Sequence, residues 1–179
     1  MITTDAPDGL KSSELHSISA PAAAAIASAA LLLPSLMSVS SSPSPNHPRI
    51  MLWYKTLRQP WFKPPDVAIP LAWTAIETAL AFSSYRLLRA PASSARNRSL
   101  AWMGVNVLMI GSWSRFFFKH RNLPASTAAA AVMVVTGAAM TAQAKKVDKA
   151  ASVATLPFTV WVAFATVLTA SIWQLNKRR

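Results

Sequence analysis

Long uncharged apolar runs, separated by short clusters of charge, dominate this sequence. The clearest run covers residues 150–176, contains no charged residue and is followed by Lys177, Arg178 and Arg179. The hydrocarbon core of a bilayer takes about 20 apolar residues of helix, and basic residues after such a run hold its end at the interface. We therefore predict that the chain crosses a membrane.

The same pattern predicts five spans, most of them joined by short loops. They cover about residues 18–39, 67–88, 99–118, 122–144 and 150–176. Short connections make neighbouring helices antiparallel. The predicted fold is therefore all-α, a five-transmembrane-helix antiparallel bundle over 18–176, with a polar extension at 1–17 and a basic tail at 177–179. For the first run, whose residues are small, a disordered leader or a signal-like segment is the alternative.

Composition and charge support the bilayer as a partner. Charged residues are only 13% of the chain, about half the usual share. A net charge of +12 would indicate nucleic acid in a soluble protein, but here the basic residues flank apolar runs, where they attract anionic lipid. We therefore expect no nucleic-acid partner. With no cysteine, and with three histidines outside the runs, we expect neither a metal site nor an obligatory cofactor.

Two tryptophans and one acid lie where lipid disfavours them. Trp73 and Trp161 lie inside spans, although tryptophan usually lies at the interface, and an indole N–H in lipid needs a partner such as a ligand's carbonyl or carboxylate. Glu77 follows Trp73 by one turn, at a depth where a carboxylate costs about 2.5–3.5 kcal/mol. Arg115 is its candidate partner. Two interpretations of Glu77 remain open. It belongs either to a ligand or proton site, or to an ion pair that extends to the membrane interface.

Specific motifs carry a resemblance to a known family. They are Trp53 and Tyr54 with Pro60, Trp61, Pro64 and Pro65; Pro70, Trp73 and Thr74; Ser84 and Tyr85; Trp113, Phe117 and Phe118; and Pro157, Trp161, Phe164, Ala165 and Leu168. In these motifs the chain resembles the translocator protein family, also called the tryptophan-rich sensory protein or TspO/MBR family. The resemblance covers about residues 53–173.

The resemblance implies a five-helix bundle, often a homodimer, whose pocket is capped by the first loop. It implies porphyrins such as protoporphyrin IX, haem, or cholesterol in animal members as ligands, in transport, scavenging or stress signalling. By position, Trp53, Tyr54 and Pro64 would form the lid, Trp73 and Trp161 would donate to the ligand, and Ala165 would line the wall. Trp113, Phe164 and Glu77 complete the candidate ligand-binding residues.

Some positions depart from the family pattern, which implies a changed ligand preference. Met109 and Ile110 replace Leu-Asn, Ser114 replaces Pro, Glu77 replaces Tyr, and Thr169 replaces Asn. The animal cholesterol motif is absent from 174–179. Alternatives to a tetrapyrrole-binding protein are a sterol or lipid carrier, an adaptor without a small ligand, and an enzyme that degrades porphyrin in light. By resemblance the membrane is that of the endoplasmic reticulum or Golgi, or the outer mitochondrial membrane.

Overall fold

Six α-helices account for most of the residues that the computed structural model describes, which are 18–177. The helices are α1 (Ala20–Ser38), α2 (Pro48–Thr56), α3 (Ala68–Arg89), α4 (Ser94–Ser114), α5 (Leu123–Lys145) and α6 (Lys149–Asn176). A 3-10 turn, Val39–Ser41, extends α1, and one turn of π-helix, Arg115–Lys119, extends α4. No strand occurs within residues 18–177, so the all-α prediction is confirmed.

Five of these helices are long, and three of them are apolar enough to cross a membrane by length and composition. Those three segments are Ala20–Ser41, Leu123–Lys145 and Lys149–Asn176. The more polar α3 and α4 carry Glu77 and Arg96 among their buried residues. Three helices within residues 18–177 are thus able to cross a membrane, while five spans stay a prediction. The short α2 was not predicted, because its residues lie in a segment rich in proline and aromatics.

The five long helices form a closed ring. Helix α1 packs against α3 and α4, α3 packs against α6, α6 against α5, and α5 against α4. Because α1 lies against both α3 and α4, the direct contact between those two is minor. The ring therefore runs α1–α3–α6–α5–α4, and α3 and α6, which are distant in sequence, meet on one side.

Hydrogen bonds made by side chains join the antiparallel helices α4 and α5. Ser99 Oγ donates to the Met140 carbonyl at 3.1 Å, and Thr136 Oγ1 donates to the fully buried Asn106 Oδ1 at 2.7 Å. Such interhelical bonds matter in lipid, where apolar surface alone does not draw helices together.

Glycines allow close approach at two helix contacts but not at a third position. A Cβ on Gly137 of α5 would lie 3.0 Å from the Phe158 ring and 3.0 Å from Thr159 Oγ1 on α6. A Cβ on Gly111 of α4 would lie 2.7 Å from Met37 Sδ of α1. By contrast, a Cβ on Gly104 would meet nothing within 4 Å. The small residues of α5 thus let α6 approach closely, as small residues do in membrane bundles.

Candidate ligand site

Two aromatic clusters contain six of the predicted site residues, which are Trp53, Tyr54, Trp73, Trp113, Trp161 and Phe164. The inner cluster consists of Phe62, Trp73, Trp161 and Phe164, and the loop cluster consists of Trp53, Tyr54, Trp113, Phe117 and Phe118. Helices α3 and α6 build the inner cluster, while α2 and the end of α4 build the loop cluster. The aromatic residues of the family motifs therefore form two separate clusters in the structure.

The inner cluster joins the two tryptophans that lie deep in the predicted spans. The ring centroids of Trp73 and Trp161 are 6.4 Å apart with an interplanar angle of 84°, an edge-to-face contact. Phe164 lies 5.5 Å from Trp161, and Phe62, from the connection between α2 and α3, lies 6.3 Å from Phe164. An aromatic surface thus runs from the helices to the loop above them.

The indole nitrogens of the inner cluster are available to a ligand. Within residues 18–177, the indole nitrogen of Trp113 donates to the Ser126 carbonyl at 2.9 Å, whereas those of Trp73 and Trp161 have no hydrogen-bond partner. All three rings are half-buried. A buried tryptophan N–H usually has a partner, so Trp73 and Trp161 offer two donors to an acceptor between α3 and α6. Trp113 is already satisfied by the fold.

Glu77 contacts α1 instead of the residue that we expected. Its Oε2 accepts a hydrogen bond from Ser35 Oγ at 3.3 Å, and its side chain is buried. The two ion pairs within residues 18–177 are Lys63–Asp66 and Arg86–Asp148, so the candidate partner Arg115 does not pair with Glu77. The reason is topological, because α1 lies against both α3 and α4 and places Ser35 beside the carboxylate, while Arg115 is exposed.

The loop cluster packs α2 onto the π-helical turn. Trp53 and Tyr54 lie edge-on to Phe117 at 6.0 and 6.5 Å, and Trp113 stacks on Phe117 at 4.9 Å with an interplanar angle of 20°. Phe117 is almost completely buried. One-turn π-helices occur frequently at functional sites, and here the turn holds the phenylalanines against the predicted lid.

Polar contacts shape the segment that contains Pro64. Lys63 Nζ lies 2.5 Å from Asp66 Oδ1, and the Tyr54 hydroxyl donates to the same oxygen at 3.4 Å. Burial raises the pKa of the Tyr54 phenol above its ordinary value, and the Lys63 ammonium partly opposes that rise. The half-buried Pro64 lies between Lys63 and Asp66 in this turn. Tyr54 and Pro64 therefore belong to one ordered loop.

An asparagine near the end of α6 holds the start of that loop. Asn176 Oδ1 accepts from the Arg58 backbone N–H at 3.0 Å, and Asn176 Nδ2 donates to the Arg58 carbonyl at 3.0 Å. Neither Asn176 nor Phe62 is among the residues predicted from the sequence. Phe62 had a signal, its place beside Trp61 in the proline-rich motif, whereas nothing in the sequence marks Asn176 as a partner of Arg58.

We expect Asn176→Ala to loosen the loop without unfolding the bundle. Two hydrogen bonds of about 1 kcal/mol each would be lost, so backbone amides in residues 57–66 should exchange hydrogen up to about thirtyfold faster. Hydrogen exchange with mass spectrometry measures this, and Gln174→Ala, at an exposed position two residues earlier, is the control. Unchanged exchange in Asn176→Ala would show that aromatic packing alone holds the loop.

Comparison with known proteins finds a family model and several relatives that this chain is similar to in sequence. The model of the family described as TspO/MBR matches residues 22–174. The chain is 28% identical to the tryptophan-rich sensory protein of Cereibacter sphaeroides, over 71% of this chain and 78% of that protein. It is 27% identical to the uncharacterized membrane protein YtaB of Bacillus subtilis, over 69% and 80%. It is 26% identical to the translocator protein of Ovis aries, over 71% and 76%.

Proposed function

This chain belongs to the TspO/MBR family, and from that premise we propose that it binds a tetrapyrrole such as protoporphyrin IX or haem. It is an integral membrane protein, and the ligand would lie against the inner cluster between α3 and α6. We propose a role in transport, scavenging or stress signalling of such ligands.

One observation carries the proposal, the meeting of two half-buried tryptophans whose indole N–H groups have no hydrogen-bond partner within residues 18–177. Trp73 and Trp161 come from helices far apart in sequence, yet their rings are 6.4 Å apart. A flat apolar ring system with carboxylates suits apolar, aromatic walls edged by a few donors. The indoles would donate to a carboxylate or carbonyl of the ligand, and the rings would cover its face.

Charge at the loop end of the bundle favours an acidic ligand. The basic residues there, within the described chain, are Arg49, Lys55, Arg58, Lys63, Arg115, Lys119, Arg121 and Lys177. Asp66 is the one acid in that set of loops and helix ends, and it is paired with Lys63. A surface of one sign raises the local concentration of oppositely charged ligands, so propionate groups would be drawn to this end.

The experiment is a titration of the detergent-purified protein with protoporphyrin IX and with haem, followed by the Soret band and tryptophan fluorescence. We expect saturable binding that weakens about tenfold in Trp161→Phe, because one hydrogen bond to a charged group contributes about 1.5–3 kcal/mol. Trp173→Phe, outside the inner cluster, is the control. Glu77→Gln shows whether the carboxylate takes part in binding.

Two results would reject the proposal. One is the absence of saturable binding, after which a sterol titration tests the lipid-carrier alternative. The other is equal weakening in Trp161→Phe and Trp173→Phe, which would show that porphyrin adsorbs to the protein without using the inner cluster.

A further inference from the structure

A second concave surface lies between the latter half of α3 and the first turns of α6. It is a shallow groove of about 650 Å³, lined by Phe82, Arg86, Asp148, Lys149, Ala150, Val153 and Ala154. Phe82 follows Trp73 by nine residues, or about 13 Å along a helix axis. The groove is therefore separate from the inner cluster and takes no part in the proposed tetrapyrrole binding.

Polarity changes along the groove in the same direction on both of its walls. On α3, the apolar Phe82 precedes Arg86 by one turn toward the helix end. On α6, Val153 and Ala154 lie one turn deeper than Lys149. Apolar side chains thus line the part nearer the centre of the bundle, and charged groups line its mouth. This gradient fits an amphiphile that lies with its chain inward and its headgroup at the bundle end.

The charges at the mouth leave a positive excess. Arg86 forms a two-pronged pair with Asp148, with Nη2 and Nε at 2.7 and 3.0 Å from Oδ2. Asp148 also caps α6 by accepting from the Ala151 backbone N–H at 2.7 Å. Because Arg86 donates hydrogen bonds to the Asp148 carboxylate, the pKa of Asp148 is lowered. The negative charge of Asp148 is therefore balanced by the Arg86 guanidinium. Lys149 is exposed and makes no ion pair within residues 18–177.

Neighbouring residues extend this excess. The basic residues that contribute to it are Arg86, Arg89, Arg98, Lys145, Lys146 and Lys149, and within residues 18–177 Asp148 is the one acid among these loops and helix ends. Basic residues near a membrane surface attract anionic headgroups, each with about 1 kcal/mol. The mouth therefore favours a phosphate without a compensating cation over a zwitterionic headgroup.

We propose that this groove binds an anionic phospholipid of the surrounding bilayer, with an acyl chain against Phe82 and Val153 and the headgroup phosphate beside Lys149. The lipid would bridge α3 and α6 at the end of the bundle opposite the predicted lid. Bound there, it would stabilise the contact between the same two helices that hold Trp73 and Trp161.

The test compares lipid retention by the full chain in nanodiscs of phosphatidylcholine with and without phosphatidylglycerol. Native mass spectrometry counts retained lipids, and thermal unfolding in detergent with added lipid reports apparent affinity. Lys149→Gln is expected to weaken phosphatidylglycerol binding about fivefold, whereas Lys177→Gln, at the other end of the bundle, should not. Val153→Trp fills the groove and should remove the retained lipid. Val160→Trp, at an exposed site on the same helix outside the groove, should retain it.

Specific results would overturn the proposal. Equal retention of phosphatidylcholine and phosphatidylglycerol would show that the groove has no headgroup preference. An equal loss of phosphatidylglycerol affinity in Lys149→Gln and Lys177→Gln would show that the lipid is attracted only by the overall positive charge of the protein. Stabilisation by inorganic phosphate alone, unaffected by Val153→Trp, would mean that the mouth binds a free anion. If Val153→Trp does not fold, Lys149→Gln still decides, because an exposed lysine can be replaced without disturbing the packing.

Discussion

Replacing both Trp73 and Trp161 by phenylalanine is expected to weaken protoporphyrin IX binding by a hundredfold or more while the bundle stays folded. Each indole offers one N–H, and a hydrogen bond to a charged group contributes about 1.5–3 kcal/mol, so the loss of two exceeds about 3 kcal/mol. Phenylalanine keeps the edge-to-face contact between α3 and α6. The Soret titration measures the affinity, and circular dichroism reports the helix content.

The matched control is Trp102→Phe combined with Trp173→Phe, which also removes two indoles. Trp102 is 37% exposed on α4, and Trp173 lies under the Lys177 ammonium, 5.6 Å from its ring centroid, so neither belongs to the inner cluster. We expect this pair of substitutions to leave affinity unchanged. An equal loss in both double variants would show that indole hydrogen bonds in the inner cluster do not hold the ligand.

Gly137→Leu is expected to destabilise the protein by about 3 kcal/mol, the upper range for added bulk in a packed interior. Its Cβ alone would lie at 3.0 Å from both Phe158 and Thr159 on α6, and three further carbons have no room. Phe158 is fully buried, so its ring cannot move aside without shifting α6. Unfolding in detergent, induced by heat or by a denaturing detergent, measures the loss.

Gly104→Leu is the control, because a Cβ there meets nothing within 4 Å. Leucine is the better helix former by up to about 1 kcal/mol, so this variant should be as stable as the original or slightly more so. If Gly137→Leu unfolded at the same temperature as Gly104→Leu, the close approach of α5 and α6 would not be needed for the fold.

Much of the fold could be predicted from the sequence, because the length of an apolar run and the position of a tryptophan within it can be read from one short segment of the chain. Long apolar segments indicate membrane helices wherever they pack, so the all-helical class and the membrane location followed directly. Trp73 and Trp161 were singled out by depth, and the structure brings their rings together. That they bind a ligand stays a prediction.

Other features depend on which helices become neighbours, and the sequence holds no local signal for that. Arg115 was expected beside Glu77 on the assumption that α3 and α4 pack directly. Because α1 lies against both, Ser35 meets the carboxylate instead. In the same way, the tie between Asn176 and Arg58 joins residues 118 positions apart, which no periodicity or motif reveals.

The order of helices around the ring has a consequence for biosynthesis. The contact between α3 and α6 closes the ring, and α6 is the last of the long helices to leave the ribosome. Since a chain is made at about 5–20 residues per second, α3 waits for several seconds before its partner exists. During that interval Trp73 lacks its neighbour Trp161. The inner cluster is therefore the last part of the bundle to form, and a nascent chain that stalls before α6 would leave Trp73 without its aromatic partner.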